Sequence, residues 1–103
     1  MLKFTVIVGL NDKDTKKQEI TTEEAYNLIT KILYINNIEG ATFTEAKGLY
    51  IHRDGTAVFE NSIKIELLFI TEETAKAICK LLKSALNQES VVLEIQELNS
   101  NLI

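Results

Sequence analysis

Apolar and polar residues alternate strictly over the first ten positions. Leu2, Phe4, Val6, Val8 and Leu10 fall on one face of an extended chain, and Lys3, Thr5, Ile7 and Gly9 fall on the other. A period of two marks a strand with one buried face. The stretch Asn11 to Glu19 is polar throughout and has no period, which predicts a long loop or an exposed hairpin. Thr21-Thr22-Glu23-Glu24 then fits a capping box, and the period changes: Ala25, Leu28, Ile29, Ile32 and Leu33 recur at the spacing of one helical face. That helix is expected to stop near Asn36-Asn37, with Gly40 breaking the chain before the next element.

Ala41 to Ile51 reads as a second strand with conflicting parity, because Phe43 and Leu49 share a face with Glu45 and Lys47. A bulge at Gly48 that switches the faces would resolve the conflict. Arg53-Asp54-Gly55 predicts a tight turn. A third strand follows, with Phe59, Ile63, Ile65, Leu67 and Phe69 on one face. Thr71-Glu72-Glu73 caps a second helix whose stripe is Ala75, Ile78, Cys79, Leu82, Ala85 and Leu86. Asn87-Gln88-Glu89 ends it, Val91, Leu93 and Ile95 alternate as a fourth strand, and residues 99–103 form a loose tail.

The order is βαββαβ, an α+β ferredoxin-like pattern filling residues 1–103 as one domain, with the 11–20 segment as an insert. A weak internal echo supports it: strand, Thr-Thr-Glu-Glu-Ala and helix recur as strand, Thr-Glu-Glu-Thr-Ala and helix. Right-handed crossovers put both helices on one face of a four-stranded antiparallel sheet. The other face carries Thr5, Ile7, Ser62, Lys64, Glu66, Val92, Glu94 and Gln96, a mixed surface of the kind that packs against a second subunit.

Composition narrows the chemistry. With 103 residues there is room for one core. Proline and tryptophan are absent, and one Cys excludes an intrachain disulfide and a cysteine-based zinc site. A net charge of −4 argues against a dedicated nucleic-acid binder. No signal-peptide pattern opens the chain and no apolar run approaches the roughly 18 residues of a spanning helix, so a cytoplasmic location without membrane contact is expected. Usage rich in Ile, Lys and Asn suggests a low-GC bacterium or one of its mobile elements. The four glycines match neither a dinucleotide-binding nor a phosphate-loop spacing, and no zinc-protease, redox or nucleophile-elbow motif occurs.

Single residues offer less. His52, the only histidine, could act as a general base with Tyr50 or Glu60, but the plainer reading is an exposed strand-end side chain. Cys79 reads as a buried core thiol. Lys13, Lys16 and Lys17 interleave with Asp12, Asp14 and Glu19, as on a solvated loop. Glu60, Glu66 and Glu94 are expected near one another on the open face, paired with Lys64 or a neighbouring subunit rather than holding a cation. No catalytic residue, metal or cofactor is assigned.

One segment carries a family resemblance. Ile38-Glu39-Gly40-Ala41-Thr42-Phe43-Thr44-Glu45-Ala46-Lys47-Gly48 resembles the second-strand signature of PII nitrogen-regulatory signalling proteins, and Lys64-Ile65-Glu66-Leu67-Leu68 resembles that family's later strand. The similarity spans roughly residues 36–86. The divalent-cation-tolerance protein CutA has a similar fold, although its aromatic-rich signatures are missing. The resemblance implies a trimeric PII-like scaffold. The family's long partner-contacting loop has no counterpart in the short hairpin at Arg53-Asp54-Gly55, and its glycine-rich phosphate segment is missing from 85–90. ATP and 2-oxoglutarate binding are therefore not carried over.

The function expected on this basis is a non-enzymatic ligand-binding or regulatory module, a homo-oligomer with trimer favoured over dimer. A small anionic ligand would sit between subunits against Gly48, Tyr50, His52, Arg53 and Lys64, the last two supplying positive charge. The alternatives are an enzyme of the dimeric α+β-barrel kind and a structural or interaction protein of a mobile element.

Overall fold

Alternation at the start of the chain becomes an interior strand. In a computed structural model that describes all 103 residues, β1 (Leu2–Gly9) pairs antiparallel with β3 (Ala57–Leu68) on one side and β4 (Val92–Glu97) on the other. β2 (Thr42–Ile51) pairs antiparallel with the far side of β3, giving the sheet order β2-β3-β1-β4. With α1 (Thr22–Ile35) after β1 and α2 (Glu72–Ala85) after β3, the topology is the expected ferredoxin-like βαββαβ.

The core follows the two periods. Phe4, Val6 and Val8 of β1 and Ile63, Ile65 and Leu67 of β3 meet Ala25, Ile29, Ile32 and Leu33 of α1 and Ala75, Ile78 and Leu82 of α2. Cys79 packs against this core but is only half-buried, at the margin of the expected stripe. Thr21 caps α1 in a full capping box with Glu24.

Both helices end in the same device. Asn37 and Asn87 stand in the left-handed region, with φ of 59° and 46°. Behind each, the backbone closes a Schellman pair: Ile38 donates to Leu33 and Asn37 to Tyr34, while Gln88 donates to Lys83 and Asn87 to Ser84. Asparagine fills the position that glycine usually takes.

Pairing between β2 and β3 is unbroken from Thr42↔Glu66 to Ile51↔Ala57, so the bulge expected at Gly48 is not there. The parity conflict has another cause. β1 pairs only with Ser62–Leu68 of β3, which leaves Ala57–Asn61 and Lys47–Ile51 as a two-stranded arm. Leu49, Ile51 and Phe59 continue the helix-facing side of the ladder past the end of the helices and are 60–77% exposed. Their faces do not switch; the core beneath them runs out.

Candidate functional site

The other side of the arm curls over the chain that follows β1. Leu10 donates its backbone N–H to the Asn61 carbonyl, and the Asn11 side chain reaches the Phe59 carbonyl. The 11–20 segment is the expected loop, and it clamps the arm: Lys16 pairs with Asp54 at 2.9 Å, and Asn61 donates to Gln18 at 2.8 Å. The Asp12 carboxylate accepts backbone N–H groups from Asp14 and Thr15, while the Asn87 side chain bridges Asp12 and Asp14. This ties the loop to the end of α2. Asn87 holds Asp12's carboxyl below its ordinary value, aided by those backbone bonds.

The Schellman turn at Asn87 then aims Gln88 and Glu89 under the arm. Gln88 is buried and donates to the Asn11 and Leu86 carbonyls. Glu89 accepts from the Tyr50 hydroxyl at 3.0 Å and lies 3.2 Å from His52 Nδ1. Burial pushes the Glu89 carboxyl up, but hydrogen bonds from His52 and Tyr50, with the charges of His52 and Arg53, leave it below its ordinary value. His52 is 6% exposed, so the strand-end reading is overturned: the ring is folded inward against Tyr50, with centroids 4.9 Å apart.

Glu60 completes the cluster. Its carboxylate occupies the space above Gly9, where any Cβ would fall on it. One oxygen, Oε2, accepts the Asn11 backbone N–H at 3.0 Å. Burial pushes its carboxyl upward, against the opposing pull of that N–H and of His52. Asn11, Lys13, Tyr50, His52, Glu60, Gln88 and Glu89 together enclose a small polar cavity of about 10 Å³. Two partly buried carboxylates, a phenol and an imidazole in one partly enclosed corner suit the cationic end of a small molecule.

Of the five residues expected to line a site, Tyr50 and His52 meet here. Gly48 lies one pair away, opposite Glu60, and a Cβ there would crowd the Ser62 hydroxyl. Arg53 sits in the exposed turn, near enough for its charge to act on Glu89. Lys64 lies four residues along β3 from Glu60, between Ile7 and Thr44. Asn11, Gln88 and Glu89 carry no sequence signal, and Lys13 stands out only as part of the basic cluster on the polar loop, read there as solvated. Gly9 does carry a signal: it interrupts a strand of larger side chains, a mark of close approach. The expected grouping of Glu60, Glu66 and Glu94 does not form. Glu66 and Glu94 flank Thr5 across β1, Lys3 pairs with Glu66, and Glu60 stands at the far end of the sheet face.

A larger cavity of about 540 Å³ lies at the opposite end of the sheet, lined by Glu39, Thr42, Glu66, Leu68 and Phe69 among others. No group of His, Cys, Asp or Glu side chains could hold a metal ion. No helix is long and apolar enough to cross a membrane.

No protein-family model matches the chain, and no curated protein matches it. Solved structures do. A phage SAM lyase in complex with S-methyl-5'-thioadenosine is 31% identical, with a TM-score of 0.75, over 93% of this chain and 80% of that one. A phage SAM lyase in the apo state is 29% identical, with a TM-score of 0.75, over 92% and 78% of the two chains. The periplasmic divalent cation tolerance protein CutA from Archaeoglobus fulgidus covers 99% of this chain and 88% of its own at 13% identity and a TM-score of 0.62. That likeness is of fold alone, and the PII-like resemblance stands at this level: a small ferredoxin-like scaffold shared with CutA. The likeness to an enzyme overturns the expectation of a non-enzymatic module and favours the enzyme that stood as its alternative.

Proposed function

The chain belongs to the family of the phage SAM lyase, and from that premise we propose that it cleaves S-adenosylmethionine to S-methyl-5'-thioadenosine. The observation that carries this reading is identity of 31% across nearly the whole chain, together with the polar cluster around Glu60. The bond that must break joins the sulfonium sulfur to Cγ of the amino-acid chain. The bonding pair goes to sulfur, which becomes neutral. A lyase does this without water, so the four-carbon fragment closes through its own carboxylate onto Cγ or loses a Cβ proton.

The residues suit the amino-acid end of such a substrate. Glu60 keeps Oε1 free for the α-ammonium, since only Oε2 is engaged by Asn11. Tyr50 and His52, fixed by Glu89, wall the site. Of the two cations expected to favour an anionic group, Arg53 is the nearer to this corner and would meet the α-carboxylate. Charge-assisted bonds at both ends would hold the chain in one conformer, which is where positioning lowers the barrier.

A cavity of about 10 Å³ does not admit a nucleoside, so the site calls for walls from another copy. The exposed Leu49, Ile51 and Phe59, on the face of the arm opposite to Tyr50 and Glu60, provide a separate apolar surface that would help hold copies together. A homo-oligomer with sites between subunits follows, the trimer being the form the PII-like resemblance implies. The test is chromatographic. Protein incubated with SAM should release S-methyl-5'-thioadenosine and a four-carbon product in equal amounts, and Glu60→Gln should slow release by about two orders of magnitude. Release no faster than in protein-free buffer would refute the reading.

A further inference from the structure

We propose that His52 is the positioning residue of this site: held through Nδ1 by Glu89, its ring faces the Glu60 carboxylate across their shared cavity and tunes that group for a cationic ligand. In turnover this deepens the lyase reading and rests on it; the coupling of the ring to Glu60 stands apart from that reading.

Three observations carry the proposal. Glu89 Oε1 sits 3.2 Å from Nδ1, and an ionised carboxylate can only accept, so a proton resides on Nδ1. His52 Nε2 is the one buried side-chain polar atom in the chain without a hydrogen-bonding partner. Such atoms are rare and call for a cause. Third, His52 and Glu60 line the same small cavity, and the imidazole's charge acts on the Glu60 carboxyl. The ring is thereby suspended between two carboxylates contributed by different elements, Glu89 from the α2–β4 turn and Glu60 from β3.

Every charged group that faces the ring can be named. Tyr50 of β2 packs edge-on against it, and Arg53 of the hairpin turn follows it in the chain. Glu60 and Glu89 face it from β3 and the α2–β4 turn, and Lys13 lines the cavity from the loop after β1. With the ring protonated, its positive charge opposes the burial that drives Glu60 toward its neutral form, and Oε1 stays available to a cation. With the ring neutral, burial prevails and Glu60 takes up a proton at higher pH. His52 therefore acts through Glu60, without itself needing to touch the substrate.

Because His52 is the only histidine, its ring nitrogens can be followed without ambiguity by NMR of the ¹⁵N-labelled chain. In the wild type the neutral ring should carry its proton on Nδ1. By ¹³C NMR the Glu60 side-chain carboxyl should titrate at higher pH in His52→Asn than in the wild type, the effect of removing a nearby opposite charge. A Glu60 titration identical in wild type and His52→Asn would overturn the proposal. The second arm uses SAM as probe. His52→Asn retains a donor near the Nδ1 position but cannot carry charge, so the acid limb of kcat/KM should move to higher pH. A loss of activity equal at every pH would mark a merely structural histidine and would also overturn it. If the wild type releases no S-methyl-5'-thioadenosine, the lyase reading fails alone, and the NMR arm still decides the coupling.

Discussion

Gly9→Ala isolates the Glu60 arrangement with one added carbon. A Cβ at that position would land on the Glu60 carboxylate, whereas the flexible end of the glutamate can swing aside. The fold should therefore survive while the site does not. The carboxylate would leave the Asn11 backbone N–H, which is buried and has no other partner to take its place. Orphaning such a donor costs about 1–3 kcal/mol. Replacing a strand glycine recovers roughly 0.5–1 kcal/mol of chain entropy. The net loss is then about 0–2.5 kcal/mol, centred near 1 kcal/mol, with Tm lower by about 4–8 °C for each kcal/mol at this size. Thermal unfolding by circular dichroism measures the first quantity and release of S-methyl-5'-thioadenosine the second. The alanine variant should unfold cooperatively a few degrees early and lose most of its turnover. Full activity with an unchanged Tm would show that Glu60 does not rest over Gly9.

Four further variants probe the same geometry. Asn37→Gly should raise stability by up to about 1 kcal/mol in urea unfolding, because glycine enters the left-handed region without a Cβ penalty. Asn87→Gly should lower it, since that side chain also ties Asp12 and Asp14 to the end of α2. Asp12's carboxyl is held below its ordinary 3.8, so the stability it contributes is complete above about pH 4 and fades as pH falls through the lowered value. Asp12→Asn should flatten that acid arm in pH-dependent melts. Leu49→Ser with Phe59→Ser should reduce the light-scattering mass to that of one 11.6 kDa chain, with turnover falling in step.

Periodicity made the scaffold legible because the core is local in sequence: each strand and helix carries its own apolar stripe. The caps were legible for the same reason, as Thr21 and Glu24 lie one turn apart. The arm was misread as a bulge, because parity reports which side a residue faces and is blind to where the helices stop beneath it. His52 was misread because its burial depends on Glu89, thirty-seven residues away. Glu89 in turn is placed by the left-handed turn at Asn87, which sequence registers only as a helix end. Tyr50 and His52 are legible because they share a strand end, and Glu60 reads as a partner beside them, but its seat over Gly9 leaves no such mark. The catalytic reading came from neither pattern nor composition, since no compact motif marks a site drawn from four separate segments.

The most direct test of the central claim is mass-spectrometric analysis of SAM incubated with the purified chain. One S-methyl-5'-thioadenosine and one four-carbon product should form per SAM consumed, with the rate falling about a hundredfold in Glu60→Gln. SAM recovered intact, or cleavage that proceeds equally well in Glu60→Gln, would contradict that claim.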